Sequence, residues 1–175
     1  MTDADRSALP SEAELERRLL GVALPDLELD CTDEALIHLP ELARRSNLAI
    51  FFYRGLNGAP PDLQFSDDAR AQEWADHDYE LDKLGYLTIG ISVQTVTGQA
   101  TLAGGEPLPY ILLSDPKLQL ADALDLPTSD GDGGPAYEPL TMLIREERIS
   151  RIFFPIDPAR DAASAVGWIK RETRP

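Results

Sequence analysis

The hydrophobic and polar positions of this chain predict strands that alternate with helices. The runs "LAIFFY" (48–53) and "LTIGIS" (87–92) are apolar on both faces, which is typical of central strands covered from both sides. "LPDLELDC" (24–31) alternates instead, so Leu27, Leu29 and Cys31 share one face of an early strand. Further strands are predicted at 35–39, 110–113, 140–145 and 149–155, the last two as a hairpin that turns at Glu146–Glu147.

Helix signals separate these strands. Ser11 and Glu14 form a capping box at the start of a helix predicted over residues 12–20. Ser66 is predicted to cap a long helix over residues 66–84, on which Trp74 and Leu81 follow helical spacing. Shorter helices are predicted at 40–45 and 97–103, and after the "DP" pairs at 115–116 and 157–158. The segment "SDGDGG" (129–134) is predicted to be a polar loop.

The order of these elements predicts an α/β fold. Strands separated by helices imply a largely parallel sheet, to which the late hairpin adds antiparallel strands. A chain of 175 residues suits one domain with a full hydrophobic core. No apolar run has the ~18 residues that a membrane span needs, and the N-terminus carries no secretory signal.

Charge and cysteine usage limit the classes of partner. The net charge of −15 repels phosphate backbones and anionic membranes, so we expect neither nucleic acid nor membrane as a partner. The acidic surface favours a basic protein partner or a small molecule. Cys31 is the single cysteine, which excludes an internal disulfide and favours a cytoplasmic location.

Several segments together resemble a known family. The chain is similar to the peroxiredoxins of the alkyl-hydroperoxide-reductase and thiol-specific-antioxidant type, which have a thioredoxin fold. The matching segments, in order, are "LPDLEL", "LAIFFYRG", "DHDYELDKLGYLTIGISVQT", "PYILLSDPKLQLADALDLPT" and "LTMLIREERISRIFFPI". The resemblance implies an α/β thioredoxin-like domain over residues 21–175, with residues 1–20 as an N-terminal helical extension. It also implies a homodimer.

The chain departs from this family at the residues that carry its chemistry. The resemblance places the peroxidatic cysteine near Asp67 and a resolving cysteine near Gln72, and neither position holds sulfur. Where the family has an arginine ahead of the "LTMLI" strand, this chain has "YEP" (137–139), and the nearest basic residue in that strand is Arg145. Peroxide reduction needs a thiolate, so we expect no ordinary peroxidase activity.

Asp67 and Asp68 are the candidate catalytic residues. We expect both in the first turn of the long helix, where acids are also explained by the helix dipole alone. A carboxylate in the former thiol pocket could instead bind a cationic amine or act as a general base. That second role requires burial to raise the pKa against the dipole.

Candidate binding residues surround this position. Some of them follow predicted strand ends, because the carboxyl ends of strands line the usual crevice of open α/β sheets. Others are implied by the resemblance. The full set is Tyr53, Arg54, Ser66, Gln94 and Tyr137. Arg54 is either a partial replacement for the missing guanidinium or a solvated loop charge. The bond between Glu138 and Pro139 is a candidate for the cis form.

Neither histidine predicts a metal site. We expect His77 to pack on the apolar stripe of the long helix and His38 to point outward. Their spacing forms no metal motif, and we expect no metal and no cofactor.

Three functions stay open from the sequence. The first is a non-peroxidatic protein that binds a small molecule or a protein partner. The second is an enzyme that uses Asp67 or Asp68 for acid–base chemistry on a small metabolite, as a lyase, cyclase or hydrolase. The third is residual thiol antioxidant activity through Cys31, whose apolar strand position favours a buried packing role.

Overall fold

The computed structural model describes residues 8–55, 61–131 and 133–175. The helices in these ranges are α1 (Glu12–Leu19), α2 (Leu39–Arg45), α3 (Pro61–Lys83), α4 (Val96–Gln99), α5 (Gln119–Leu124) and α6 (Asp161–Glu172), with a 3₁₀ helix at Leu102–Gly105. The strands are β1 (Glu28–Cys31), β2 (Leu36–His38), β3 (Asn47–Phe52), β4 (Tyr86–Ser92), β5 (Ile111–Ser114), β6 (Thr128–Gly131), β7 (Gly134–Tyr137), β8 (Leu140–Arg145) and β9 (Arg148–Phe153).

A mixed sheet forms the centre of the molecule. Its strand order is β2-β1-β5-β4-β3-β8-β9, and β6 and β7 form a separate two-stranded sheet. β3 pairs in parallel with β4, and β4 with β5, whereas all other pairings in the large sheet are antiparallel. The predicted α/β thioredoxin-like fold with a C-terminal hairpin and helix is confirmed. The expectation of a largely parallel sheet is wrong outside its three central strands.

Alternation along the central strands divides the core into two layers. On β3, Leu48, Ile50 and Phe52 contact one cluster of buried residues, while Ala49 and Phe51 contact the other. The first layer, here called the α5 face, is covered by α1, α2 and α5. The second, here called the α3 face, is covered by α3 and α6. Both faces of the central strands are therefore buried, as their apolar sequences predict.

The long helix α3 begins five residues earlier than predicted. It starts at Pro61, a residue type favoured at the first helical position because its fixed φ suits the helix and it has no N–H to leave unpaired. Ser66 therefore does not cap α3, and Asp67 and Asp68 lie in its second turn. The dipole of the helix falls off beyond the first turn, so it does not explain these two acids.

Two other helices begin later than the "DP" pairs predict. Pro116 and Lys117 form a turn, and α5 begins at Gln119, although the Asp115 carboxylate still accepts hydrogen bonds from the backbone of Gln119 and Leu120. Asp157 likewise accepts a bond from the Ala159 N–H in a turn that precedes α6. A capping aspartate followed by proline also suits a tight turn, which is the alternative that both segments adopt.

The loop predicted at 129–134 is largely the hairpin of β6 and β7. The register of this pairing joins Thr128 to Tyr137 and Ser129 to Ala136. The Glu138–Pro139 bond, a candidate for the cis form, is trans, whereas Phe154–Pro155 is cis.

Several local predictions are confirmed. The capping box of Ser11 and Glu14 is present at α1. The hairpin of β8 and β9 turns at Glu146 and Glu147, both with positive φ, as a tight hairpin turn requires. Within the described ranges, no helix combines the length and the apolar character that crossing a membrane requires.

Candidate ligand site at the ends of β3 and β4

The candidate site is formed where the parallel strands β3 and β4 end side by side. Tyr53 and Arg54 follow β3, and Gln94 follows Ser92, the last residue of β4. The two strands stay joined past their ends, because the Tyr53 N–H donates to the Ile91 carbonyl at 3.1 Å. Strand ends in open α/β sheets form the crevice in which ligands usually bind.

Gly55 connects this edge of the sheet to α3. Its φ of +59° favours glycine, and a Cβ at this position would lie 2.7 Å from Ser92 Oγ and 2.8 Å from Gln94 Cγ. The close approach allows the Gly55 N–H to donate to Asp67 Oδ2 at 3.1 Å. The backbone turn after β3 therefore fixes the position of the Asp67 carboxylate against the end of β4.

Burial raises the pKa of Asp67 above its ordinary value. The hydrogen bond from the Gly55 N–H and the charges of Arg70 and Arg54 oppose this effect, whereas the negative charge of Asp68 adds to it. Asp67 is thus a carboxyl group that holds its proton more tightly than an exposed aspartate. Such a group can accept or return a proton nearer to neutral pH.

Tyr53 and Gln94 present polar atoms without partners beside Asp67. The Tyr53 hydroxyl is buried without a hydrogen-bond partner, although Ser92 and Gln99 lie beside it, and burial raises the pKa of Tyr53. Gln94 Oε1 is also buried without a donor. We refer to Tyr53, Gly55, Asp67, Ser92 and Gln94 as the strand-end cluster. Unpaired buried polar atoms cost stability, and such atoms in native proteins often mark a functional site.

Arg54 follows Tyr53 in the same loop, and its charge acts on the Asp67 carboxyl. Its guanidinium forms an ion pair with Glu138 at 3.1 Å, and the Glu138 carboxylate is only 11% exposed. The Arg54 side chain is 30% exposed, and both roles predicted for it stay predictions. Glu138, which stands near the position of the family's arginine, neutralises Arg54. Arg145 is exposed at the far end of β8, opposite Arg148.

Tyr137 is not brought to the candidate site. Its ring packs on Phe52 with centroids 4.9 Å apart, which places it on the α5 face, opposite Tyr53. Its hydroxyl donates to Asp115 Oδ2 at 2.5 Å, and burial raises the pKa of Tyr137. Phe52 and Tyr53 are adjacent in the chain and point to opposite faces of the sheet. Tyr137 packs on Phe52, so it has a packing role away from the candidate site.

The remaining residues singled out in the sequence have no resolved role. Ser66 and Asp68 flank Asp67 on α3 and are half-buried. His77 is half-buried, with Nδ1 2.9 Å from the Glu73 carbonyl oxygen. His38 Nε2 lies 2.5 Å from Asp26 Oδ1. In the described part of the chain, no three His, Cys, Asp or Glu residues are arranged to hold a metal ion.

A buried ionic network lies behind the site and was not predicted from the sequence. Arg70 on α3 is 2% exposed and forms an ion pair with Asp161 of α6 at 2.7 Å. The same guanidinium donates to the carbonyls of Phe52 and Leu140 and to Thr141 Oγ1. The network joins α3, α6, β3 and β8 directly behind the strand-end cluster, and it holds α3 in place.

The sequence does contain a signal for this network. Arg70 is four residues before Trp74, so it lies on the apolar stripe of α3. Asp161 likewise lies four residues before the buried Ala165 on α6. Opposite charges on the apolar stripes of two helices predict a buried pair, because a buried charge needs a partner.

Cys31 lies two strands away from Ser92 and three strands away from the strand that leads to Tyr53. Cα partners across the sheet run from Cys31 to Leu113, then to Ile91, then to Phe52. These are three strand spacings, or about 14 Å. The row lies on the α5 face, whereas Tyr53 and α3 lie on the other face. Cys31 is 2% exposed.

Comparison with known proteins identifies the fold. No family model matches the chain, and no curated protein matches it in sequence. Among solved structures, peroxidoxin BcpB from Mycobacterium tuberculosis is 21% identical, with 90% of this chain and 99% of that chain covered and a TM-score of 0.73.

Two further peroxiredoxins agree with this match. A PrxQ mutant from Xylella fastidiosa is 16% identical, with coverages of 89% and 97% and a TM-score of 0.74. Reduced Prx3 from Vibrio vulnificus, solved in complex with H₂O₂, is 18% identical, with coverages of 89% and 98% and a TM-score of 0.70. The chain therefore has the thioredoxin-like fold of the peroxiredoxins.

Proposed function

We propose that this chain is a peroxiredoxin-fold protein without peroxidase activity, which binds a small molecule or a protein partner at the strand-end cluster. The observation that carries the proposal is the position of the single thiol. Cys31 is buried on the α5 face, about three strand spacings from β3. A thiol reduces peroxide only where peroxide can reach it, and Cys31 is 2% exposed.

The positive charges near the site support the same proposal. A guanidinium helps a peroxidatic cysteine by stabilising its thiolate. Here Arg54 is paired with Glu138, and Arg70 is fully engaged by Asp161 and three further acceptors. The Arg70 guanidinium is therefore not available to an incoming peroxide or to a thiolate, and the Arg54 charge is balanced by Glu138.

Peroxide turnover tests the proposal. Consumption of hydrogen peroxide is followed with dithiothreitol as electron donor, for the wild type and for Cys31→Ser. We expect both proteins to match the rate of dithiothreitol alone. Protein-dependent turnover that Cys31→Ser abolishes would overturn the proposal, and a cysteine-bearing peroxiredoxin serves as the positive control.

A second candidate function is acid–base catalysis on a small metabolite. The observation that favours it is the raised pKa of Asp67 beside the unpaired polar atoms of Tyr53 and Gln94. Asp67→Asn separates the two functions once a bound metabolite is found. An enzyme loses turnover in this variant while the metabolite still binds, whereas a binding protein shows no turnover in either form.

We also propose that the protein is a homodimer, as its resemblance to peroxiredoxins implies, and that it is cytoplasmic, as its single cysteine favours. Its net charge of −15 favours a basic macromolecular partner over an acidic one. Sedimentation equilibrium tests the oligomeric state. A dimer mass is expected at micromolar concentration, and a monomer mass across the range would contradict this.

A further inference from the structure

The register of the large sheet brings Glu138 opposite Arg54. β3 and β8 are antiparallel, and Phe52 and Leu140 are their last Cα partners at this edge. The same register, continued by two residues on each side, places Arg54 opposite Glu138. Pro139, which precedes β8, has no backbone N–H to donate to β3. The side chains join the two segments instead, since Arg54 Nη2 lies 3.1 Å from Glu138 Oε2.

The surroundings of Glu138 fix its side of this ion pair. Its backbone N–H donates to the Pro127 carbonyl at 3.0 Å. Its carboxylate is 11% exposed, whereas the Arg54 side chain is 30% exposed. Water and salt screen a partly buried pair less than an exposed one, so the attraction between the two groups is stronger here than on an open surface. The Glu138 carboxylate therefore sets the position of the Arg54 guanidinium.

The Asp67 carboxyl is a second acid on which the Arg54 charge acts. It accepts the N–H of Gly55, the residue directly after Arg54, at 3.1 Å. Among the described residues, the titratable and charged groups that act on Asp67 or respond to it are Tyr53 and Arg54 at the end of β3 and Asp68 and Arg70 on α3. Of the two cations, Arg70 is already held by Asp161 of α6. Arg54 is therefore the cation whose position can change the charge at Asp67.

We infer that Glu138 is a positioning residue, which holds the Arg54 guanidinium in the cross-strand ion pair and so keeps that positive charge from pairing with the Asp67 carboxyl. The inference rests on the second candidate function, in which Asp67 exchanges a proton with a metabolite. A guanidinium paired directly with Asp67 would hold the carboxyl ionised. A group that both accepts and returns a proton works best when its pKa lies near the working pH.

The amide proton of Gly55 reports the protonation of Asp67, because this N–H donates to the Asp67 carboxylate. Its NMR chemical shift is followed against pH in the full-length protein, and Asp67→Asn identifies the part of the titration that belongs to Asp67. Glu138→Gln keeps the shape of the side chain and removes its charge. We expect this variant to lower the proton affinity of Asp67 about tenfold, as one opposite charge beside a carboxylate does.

Arg54→Gln shows whether Glu138 acts through Arg54. This variant alone is expected to raise the proton affinity of Asp67, because it removes a neighbouring positive charge. In the Arg54→Gln background, Glu138→Gln should leave the titration unchanged. Glu147→Gln is the matched control, since it removes the same charge from an ion pair with Arg44 beyond the other end of β8. The control should not move the titration.

Three results would overturn the inference. They are an unchanged titration in either single variant, an equal shift by Glu138→Gln in the Arg54→Gln background, and the same shift in Glu147→Gln. None of them depends on turnover. Failure of the second candidate function would be seen separately, as a wild-type protein that binds a metabolite without converting it.

Discussion

At the scale of single residues, the buried carboxylate of Asp67 lowers the stability of the folded state. Burial raises its pKa above the value near 3.9 of an unfolded aspartate. The folded state therefore binds the Asp67 proton more tightly than the unfolded state does. Its contribution to stability is complete below the unfolded pKa and is lost as the pH rises through the folded pKa.

Asp67→Asn is therefore expected to stabilise the protein at pH 7, by roughly 0.5–2 kcal/mol, as is common when a functional charge is removed. The asparagine oxygen can still accept the bond from the Gly55 N–H. The free energy of unfolding is measured by urea denaturation at pH 7 and near pH 3, where the difference from wild type should shrink.

Asp76→Asn is the matched control for this prediction. Asp76 is exposed on the same helix and accepts a bond from Gln72 that asparagine can keep. A stabilisation of Asp67→Asn that persists unchanged at low pH, or equal stabilisation by the control, would contradict the role given to burial of Asp67.

Arg70 is the residue whose loss should cost most. Asp161 is 1% exposed and would keep a buried charge without its partner. Arg70→Met is expected to cost about 3–5 kcal/mol in the free energy of unfolding. The double variant Arg70→Met with Asp161→Asn should recover part of that loss. A double-mutant cycle by urea denaturation checks this, and strictly additive effects would contradict the direct pairing.

At the scale of secondary-structure elements, Glu73 joins the helix that carries Asp67 to the C-terminal helix. Its carboxylate accepts the backbone N–H groups of Ala162 at 2.6 Å and Ala163 at 3.0 Å, so α3 provides a cap for α6. Burial nevertheless raises the pKa of Glu73.

Glu73→Ala is expected to destabilise the protein by about 0.5–2 kcal/mol, the usual cost of removing a helix cap. Glu80→Ala is the control, since Glu80 pairs with Lys170 between the same two helices on the exposed surface. Exposed pairs contribute little, so this control should leave the melting temperature nearly unchanged. Equal effects of the two variants would show that Glu73 does not cap α6.

The elements also show how far local sequence predicts this fold. The apolar sequences of β3 and β4 predicted both strands and their burial, because a short run that is apolar throughout is typical of a strand covered on both faces. The starts of α3, α5 and α6 were predicted wrongly, because serine and aspartate accept backbone bonds in turns as well as at helix starts. The β6–β7 hairpin was missed, because its glycine-rich sequence has little strand propensity.

The candidate site was predictable only in part, for a related reason. Tyr53, Asp67 and Gln94 meet because parallel strand ends share one edge, which sequence order implies. Tyr137 was misplaced because its face depends on the register of a segment that was predicted to be a loop. Arg70 was not predicted as buried because its partners are set by long-range contacts, although its place on the apolar stripe of α3 was a signal for it.

At the scale of the whole molecule, the sheet separates the thiol from the strand-end cluster. Both faces of the seven-stranded sheet are covered, so the protein has two buried layers. Cys31 lies in the layer on the α5 face and Tyr53 in the layer on the α3 face. A local loop movement cannot exchange side chains between the faces of a sheet, because a one-residue slip would turn the whole strand over. The fold therefore keeps its sulfur out of the site in every state that preserves the sheet.

The oxidation state of Cys31 after peroxide treatment tests this account most directly. The protein is exposed to hydrogen peroxide in native buffer and in urea, and mass spectrometry measures the oxidised fraction of Cys31. We predict that Cys31 stays reduced in the folded protein under conditions that oxidise it in the unfolded chain. Oxidation in the folded protein that is as fast as, or faster than, in urea would contradict the account.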